Sequence, residues 1–538
     1  MGVFAYMPYG AGGIIIRVET DIRRGIPGVD ISGLAEGAVR EARDRVRAAF
    51  RNSGFSFPQD RILINLAPAG LRKDGAALDL PIALSIITAA EIAPVSGNLL
   101  VMGELELSGR IRPVRGVLAA IAAGLAEGIT EFIVPAENAG EAEILVSSGA
   151  KFTAVENLQS AVHALIIREE KGSLPVSQIN PQEITNKDLS DKNFSDGDFS
   201  DVRGQVVYKR ALEIAAAGGH NVLVFGPPGA GKTMLARRMP SIMAPLTSDE
   251  AVEVTRLHSL AGPKNCGNSS YQFIDRLITT PPFRAPHHTA SAEGILGGGR
   301  IPHPGEISLA HFGVLFLDEA PEYRINVLQS LREPLEDKVI SIVRAEGPVQ
   351  LPAEFQLLMT ANACRCGRLG KHDTDSVCLC SPEEINRYWR KFGGALLDRV
   401  EIRVAVMPPK IEEMSRQNTK SAAAGEHSID IAMRVKAAVE IQRQRFKGTG
   451  IRRNALIPAG KTNAFCPMSE KAESAFHTAI EKLGLSGRAY HGILRTARTI
   501  ADLDNKDTIQ TEHILEAVQF RRLGEDPWDI LSLDILSF

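Results

Sequence analysis

The run GPPGAGKT at 226–233 and the acidic pair Asp318 and Glu319, which close VLFLDE at 314–319, supply the residue types that bind and hydrolyse a nucleoside triphosphate. Gly226, Gly229 and Gly231 let the backbone turn so that successive N–H groups point at phosphate oxygens, and Pro227, Pro228 and Ala230 complete that loop. Lys232 can reach the β- and γ-phosphates of ATP, and the Thr233 hydroxyl can bind Mg²⁺. Asp318 is placed to hold the Mg²⁺ shell, and Glu319 to polarise the attacking water. A glycine-rich turn with no nucleotide is the plain alternative. The joint presence of loop, lysine and acidic pair speaks against it.

Three more polar residues sit where they could serve the same chemistry. LLMTAN (357–362) is an apolar run whose tip, Asn362, could orient the lytic water. Arg399 in LLDRV (396–400) could face a neighbouring subunit and stabilise charge developing in phosphoryl transfer. Arg488, at the start of a C-terminal helical segment, could touch the same nucleotide. On spacing alone, Arg399 and Arg488 read equally well as surface salt-bridge partners. Cys364, Cys366, Cys378 and Cys380 follow directly as C-x-C, eleven residues, C-x-C. Four thiolates suit a closed, structural tetrahedral Zn²⁺ site, with four free thiols or a redox pair as alternatives. His372, between the pairs, could replace one ligand, but as a lone loop histidine it reads rather as solvated. Cys266 and Cys466 stand alone and read as inert.

The elements that must position these groups are legible as hydrophobic patterns. NVLVF (221–225) before the glycine-rich loop and GVLFL (313–317) before the acids read as short buried strands. From about 428 onward the pattern is helical and reads as a lid. Upstream, IIIRVETDI (14–22) and RILINLAP (61–68) read as strands, and 33–54, 78–93 and 116–128 as helices. The expected fold class is α/β: a parallel sheet with a phosphate loop and a C-terminal helical lid, preceded by a second α/β domain. The expected domains are 1–168, a polar linker 169–200, the nucleotide core 201–410 and the lid 428–538. A chain of 538 residues is too long for one core.

Composition bounds the partners. A hydrophobic content of 44% with 23% charged residues is ordinary for a globular protein. The net charge of −3 carries no global basic signal, so nucleic-acid contact would need a local patch or a ring of loops. No apolar run spans a membrane and the N-terminus lacks a signal-peptide pattern, so a cytoplasmic protein is expected.

The stretch from Val202 to the C-terminal helices resembles the magnesium chelatase-like AAA+ ATPases. The resemblance is carried by the phosphate-loop segment, by FRAPHHTASAEGILGGGRIPHPGEISLAHFGVLFLDEAPEY and by LREPLEDKVISIVRAEGPVQLPAEFQLLMTAN. It implies that Asn362 is sensor 1, Arg399 an arginine finger acting in trans and Arg488 the sensor 2 arginine, in a ring, usually a hexamer. Paired cysteines in the loop after Asn362 also occur in that group. The N-terminal segments IRVETDIRRGIPGVDISGLAEGAVREARDRVRAAF and GAALDLPIAL resemble the ComM/YifB family, whose first domain is similar to the Lon protease fold. Where Lon has its nucleophile, KDGAAL (73–78) has no serine, and VRGVLAA (114–120) has no lysine. The domain is therefore expected to bind or assemble rather than to cleave peptides.

Two inserts are candidate DNA contacts. One is 283–306, with Arg284 and Arg300 beside His287 and His288. The other is the hairpin-like 338–355, with Lys338 and Arg344. In a ring, six copies would make a phosphate-binding collar; the alternative is that these are ordinary solvated loops. The resemblance implies a homo-oligomeric, ATP-driven motor on single-stranded or branched DNA, a helicase or branch-migration activity in DNA uptake and recombination. The rival readings are an ATPase that drives Mg²⁺ insertion into a porphyrin and a protein-remodelling chaperone.

Overall fold

A computed structural model describes residues 2–33, 37–73, 75–95, 97–175, 197–262, 264–265, 271–272, 274–344, 347–369, 378–408 and 425–522. The first domain is built on a seven-stranded sheet. Its long antiparallel arm pairs Gly2–Met7, Ile14–Arg23 and Arg61–Ala67, and a parallel arm runs through Asn98–Val101, Glu131–Pro135 and Lys151–Val155. The helices Gly37–Asn52 and Asp79–Ala89 cover this sheet, and Val46, Phe50, Leu84 and Ile87 are fully buried in one apolar cluster with Ile16, Ile62 and Ile64. The helix Asp79–Ala89 is apolar nearly all round, as expected of an element buried on every side. Arg45 reaches across to Asp79, which is itself inaccessible to solvent, with Nε 2.7 Å from the carboxylate.

The second domain carries five parallel strands in the spatial order Phe283–Arg284, Val314–Leu317, Gln356–Ala361, Val222–Phe225 and Ile402–Ala405. The first strand in the chain, Val222–Phe225, therefore lies between the fourth and the fifth. Strands buried on both faces read as unbroken apolar runs, as VLVF, VLFL and LLM do here. The helix Val206–Gly218 packs on one face. Its buried Leu212, Ile214 and Ala215 share a single apolar cluster with Val435, Val439, Leu494, Ala497 and Ile514 of the C-terminal helices. Core and lid are thus joined by one continuous apolar layer.

The lid comprises Ser428–Arg445, Glu470–Leu483, Gly487–Leu503 and Thr511–Arg522. Its polar centre is the fully buried ion pair of Arg498 with Asp502, which also takes Arg445. No described helix is long and apolar enough to cross a membrane.

Among the described residues, the two domains meet on the helix Ser248–Ala261 and at the turn 8–13, and Gly140 also lies against Asp275. Gly116 N donates to Ser259 O (3.2 Å), and the buried Glu141 carboxylate accepts from Ser259 Oγ, joining the first domain to the helix Ser248–Ala261. The turn at residues 8–13 reaches further. Gly10 N donates to Pro302 O (2.9 Å), and Tyr9 and Ala11 pack on the cluster that holds Val349 and Leu351.

The segment expected as a linker is anchored at both ends. The helix Leu158–Lys171 runs into it, Leu174 is buried in the first domain's core, and Phe199 is buried in the second's. Residues 176–196 lie outside the described residues, as do His372 and Cys266. In the segment compared with the protease site, Lys73 is buried and donates to Pro68 O. Leu118 is buried in an apolar cluster, and its backbone N–H goes to Glu141.

Candidate functional site

The phosphate loop leaves the strand Val222–Phe225 at its carboxyl end. Gly226 is required there, because a Cβ at this position would lie 2.1 Å from Val406 O. Gly229 and Gly231 adopt left-handed backbone (φ +83° and +80°), which keeps the loop open, with Pro228 exposed. Two braces fix the loop from behind. Gln205 Nε2 donates to Ala230 O (3.1 Å) and Met407 O (2.7 Å), and the buried Tyr208 donates through its hydroxyl to Lys232 O (3.0 Å).

Lys232 folds back over the loop. Its Nζ donates to Gly226 O (2.7 Å), Pro227 O (3.0 Å) and Asn362 Oδ1 (3.1 Å). Asn362 follows the strand Gln356–Ala361, which pairs with Val222–Phe225 in register, so the sheet itself brings the two residues together. Burial lowers the Lys232 ammonium to about 8, against the opposing pull of Asp318 and Glu319. Triphosphate oxygens would replace the loop carbonyls and favour the charged form.

Thr233 Oγ1 donates to Asp318 Oδ1 at 2.9 Å. A hydroxyl and a carboxylate in contact are hard oxygen donors of the kind Mg²⁺ takes, so these two residues fit the expected ion. Glu319 is exposed and left-handed (φ +50°). Thr360, which is not among the residues expected from the sequence, ties the two acids together: its hydroxyl donates to Asp318 Oδ1 (2.5 Å) and accepts from Glu319 N (2.9 Å). The available signal was a lone hydroxyl residue inside an apolar strand.

Arg399 and Arg488 lie elsewhere. The loop, Asp318 and Asn362 all follow the carboxyl ends of the parallel strands, whereas Asn221, Gly313 and Glu401 precede the amino ends. A cavity of about 720 Å³ opens at that amino edge and is lined by Asn221, Glu401, Arg399, Arg488, Arg495 and Lys338, among others. Four-residue strands separate the two edges by about 13 Å. The expectation that Arg488 touches its own chain's nucleotide is therefore not what the geometry shows. Both arginines bind Glu336 instead, Arg488 at 3.3 Å.

The four loop cysteines converge. Their sulfurs all lie within 4.8 Å of one another, with 3.2 Å from Cys364 to Cys366 and 3.6 Å from each to Cys378. Tetrahedral Zn²⁺ with bonds of about 2.3 Å needs sulfur–sulfur separations of about 3.8 Å, so the cluster fits that ion. Cys364 is buried against the apolar core, and Trp389 Nε1 donates to Ala363 O (2.9 Å) beneath the loop. Burial works to raise Cys366, but the Arg368 backbone and the neighbouring thiols bring it down to about 7. Cys466 is buried and pushed up to about 11.

The candidate DNA residues separate. The predicted hairpin exists as Val339–Arg344 paired antiparallel with Gly347–Pro352. Arg344 is exposed near its tip beside Val343 and donates to Gly299 O (3.0 Å). Arg300 is exposed in the adjoining insert. Lys338 is not on the hairpin's open face. It caps the helix Arg332–Asp337 in left-handed backbone, lines the cavity at the amino edge, and is lowered by burial against the pull of Glu401. Arg284 is held bidentately by Glu306 (2.6 and 2.7 Å).

Comparison with known proteins agrees with this architecture. Residues 198–415 match the family model described as magnesium chelatase, subunit ChlI, and 425–521 match that subunit's C-terminal model. Residues 18–138 match a third model, subunit ChlI of Mg-chelatase. The fold and site therefore define a magnesium chelatase-like AAA+ ATPase. The chain is 39% identical over 533 residues to the competence protein ComM of Haemophilus influenzae, covering 97% of each chain. It is 38% identical over 513 residues to the protein YifB of Escherichia coli, covering 94% of each. The chain belongs to the ComM/YifB family. A weaker likeness, 27% over 170 residues, links 30% of this chain to the Lon protease of Porphyromonas gingivalis.

Proposed function

We propose that this ATPase works as a homo-oligomeric ring, a hexamer, that moves on single-stranded or branched DNA in the cytoplasm, as a helicase or branch-migration motor in DNA uptake and recombination. The observation that carries the reading is the placement of Arg399 and Arg488 on the edge of the sheet opposite the phosphate loop. They cannot serve their own nucleotide, but in a ring they face the next subunit's. The exposed Val343 and Arg344 at the end of the strand Val339–Arg344, with the neighbouring exposed Arg300, support the DNA part, as does a relative named as a competence protein.

Hydrolysis then runs through this chain's residues. Glu319 takes a proton from water, whose oxygen bonds to the γ-phosphorus while the bond to the β–γ bridging oxygen breaks and ADP leaves. Lys232 neutralises charge on the transferring group, and Asn362 orients the water. Mg²⁺ held by Thr233 and Asp318 would supply charge neutralisation on the phosphate oxygens. Zn²⁺ on Cys364, Cys366, Cys378 and Cys380 would fix the loop that follows Asn362.

The test is the ATPase rate of the assembled protein with and without forked, branched and single-stranded DNA at low salt. Stimulation that declines with salt is expected. A hydrolysis-competent ring that none of these DNAs binds or stimulates would sink the DNA reading. The metal-insertion reading, favoured by the matches to magnesium chelatase models, would then take its place.

A further inference from the structure

We propose that Thr360 is a positioning residue for ATP hydrolysis, setting the aim of both acids at once; this rests on the ATPase reading of the site. The strands Val314–Leu317 and Gln356–Ala361 run parallel with Leu317 opposite Met359. The next residue on each is Asp318 and Thr360. Asp318 is already off the end of its strand, whereas Thr360 is still inside one that the ladder to Val222–Phe225 holds on the other side, where it pairs with Val224. Thr360 is therefore the rigid partner and the acids are the parts that need holding.

A threonine hydroxyl has one hydrogen to give and lone pairs to receive. Here it gives the hydrogen to Asp318 Oδ1 at 2.5 Å and receives the Glu319 backbone N–H at 2.9 Å. The second bond bears directly on Glu319, which adopts left-handed backbone that non-glycine residues seldom take. An N–H pinned to a fixed strand selects that conformation and with it the direction of the carboxylate. Thr233 also donates to Asp318 Oδ1, at 2.9 Å, but Thr233 is expected to turn toward the metal when Mg²⁺–ATP binds. Thr360 then remains as the anchor that keeps Asp318 in place. Its side chain is fully buried, and among the described residues these two partners satisfy it.

The bland reading is that Thr360 is a satisfied core hydroxyl whose loss costs only stability. Kinetics separate the two. In the full chain, Thr360→Val keeps the shape and removes the hydroxyl. Expected are a kcat lower by about 10–100-fold, the range typical when a partner orienting a metal ligand is removed, and an upward shift in the Mg²⁺ midpoint. ATP affinity measured without Mg²⁺ should change by less than about threefold, because the phosphate loop is untouched. Thr360→Ser should recover most of the rate. A Thr360→Val protein that hydrolyses ATP within about twofold of wild type at an unchanged Mg²⁺ midpoint would overturn the proposal. Should Thr360→Val lose its cooperative melt, Thr360→Cys, which puts a weakly hydrogen-bonding thiol where Thr360→Ser puts a hydroxyl, decides by the same outcomes when compared with Thr360→Ser. A wild-type chain that binds Mg²⁺–ATP but never hydrolyses it would defeat the ATPase reading instead. The Mg²⁺ midpoint for nucleotide binding would still decide the role of Thr360.

Discussion

Arg399 and Arg488 meet on one carboxylate, that of Glu336, although 89 residues separate them in the chain. The shared partner holds two cations together at the amino edge of the ATPase sheet, and the Arg399 guanidinium keeps Glu336 below the usual carboxylate range. A carboxylate between two arginines is a replaceable ligand: an incoming phosphate carries more charge and can take both.

Arg399→Ala should therefore leave ATP binding nearly unchanged and lower kcat by about 10³-fold or more. Arg488→Ala should act in the same direction. Mixed rings of Arg399→Ala and Lys232→Ala chains should regain part of the activity, because some interfaces pair an intact loop with an intact arginine. ATPase assays on co-assembled mixtures test this. Confirmed mixed assemblies with no more activity than either parent would rule out action in trans.

Nucleotide affinity should depend on pH through Lys232. Its ammonium, lowered to about 8 by burial in the free protein, must be charged to hold the triphosphate. Below pH 8 it is already protonated and binding is at its strongest. Above pH 8 each binding event must take up a proton, so Kd for ATP should rise about tenfold per pH unit. Isothermal titration between pH 7 and 9.5 reads the slope directly. A flat Kd over that range would refute the assignment.

How much of this was legible depends on how local each signal is. The loop at 226–233, Asp318, Glu319 and Asn362 were readable because each ends a contiguous apolar strand, and parallel pairing brings strand ends together. The helix read at 33–54 runs over Gly37–Asn52, and residues 34–36 of that reading lie outside the described residues. Lys338 looked like the first residue of a basic hairpin. Its position in the turn after a helix sends it inward, and nothing in the local pattern marks that. Arg284 is neutralised by Glu306, 22 residues away and in a different element. The edge on which Arg488 lies depends on how the lid packs on Val206–Gly218, a tertiary choice with no periodicity of its own. Nothing in the sequence beyond its lone hydroxyl in an apolar strand marks Thr360, because a threonine in a strand is ordinary and only its partners give it a role.

The cysteine cluster should hold about one Zn²⁺ per chain. Its ligands begin two residues after Asn362, so metal binding should stiffen the loop beside the γ-phosphate position. Elemental analysis after dialysis against a weak chelator is the direct measurement. Cys378→Ser with Cys380→Ser should abolish the metal and lower the melting temperature. Metal-replete protein retaining under about a tenth of an equivalent would remove the site.

Gly10 links the first domain to the candidate DNA hairpin, and replacing it should loosen that hairpin. Its backbone is left-handed (φ +66°), its N–H is bound to Pro302 O, and a Cβ would lie 2.5 Å from Val349 Cγ1. Alanine pays about 1–2 kcal/mol for the left-handed conformation. Overpacking against Val349 adds about 1–3 kcal/mol. The easiest relief is for the turn at 8–13 to lift off, because it is a half-buried turn outside any strand while Val349 belongs to a paired strand. Lifting exposes Tyr9 and Ala11 and withdraws the cover from the cluster around Val349 and Leu351. In Gly10→Ala, amide hydrogen exchange should therefore rise across 339–352 and 297–304, and stay unchanged in the lid helix Gly487–Leu503. Basal ATPase should hold, since the phosphate loop lies outside this contact, while any stimulation by DNA should fall. Exchange in the hairpin equal to wild type would show that the first domain does not brace it.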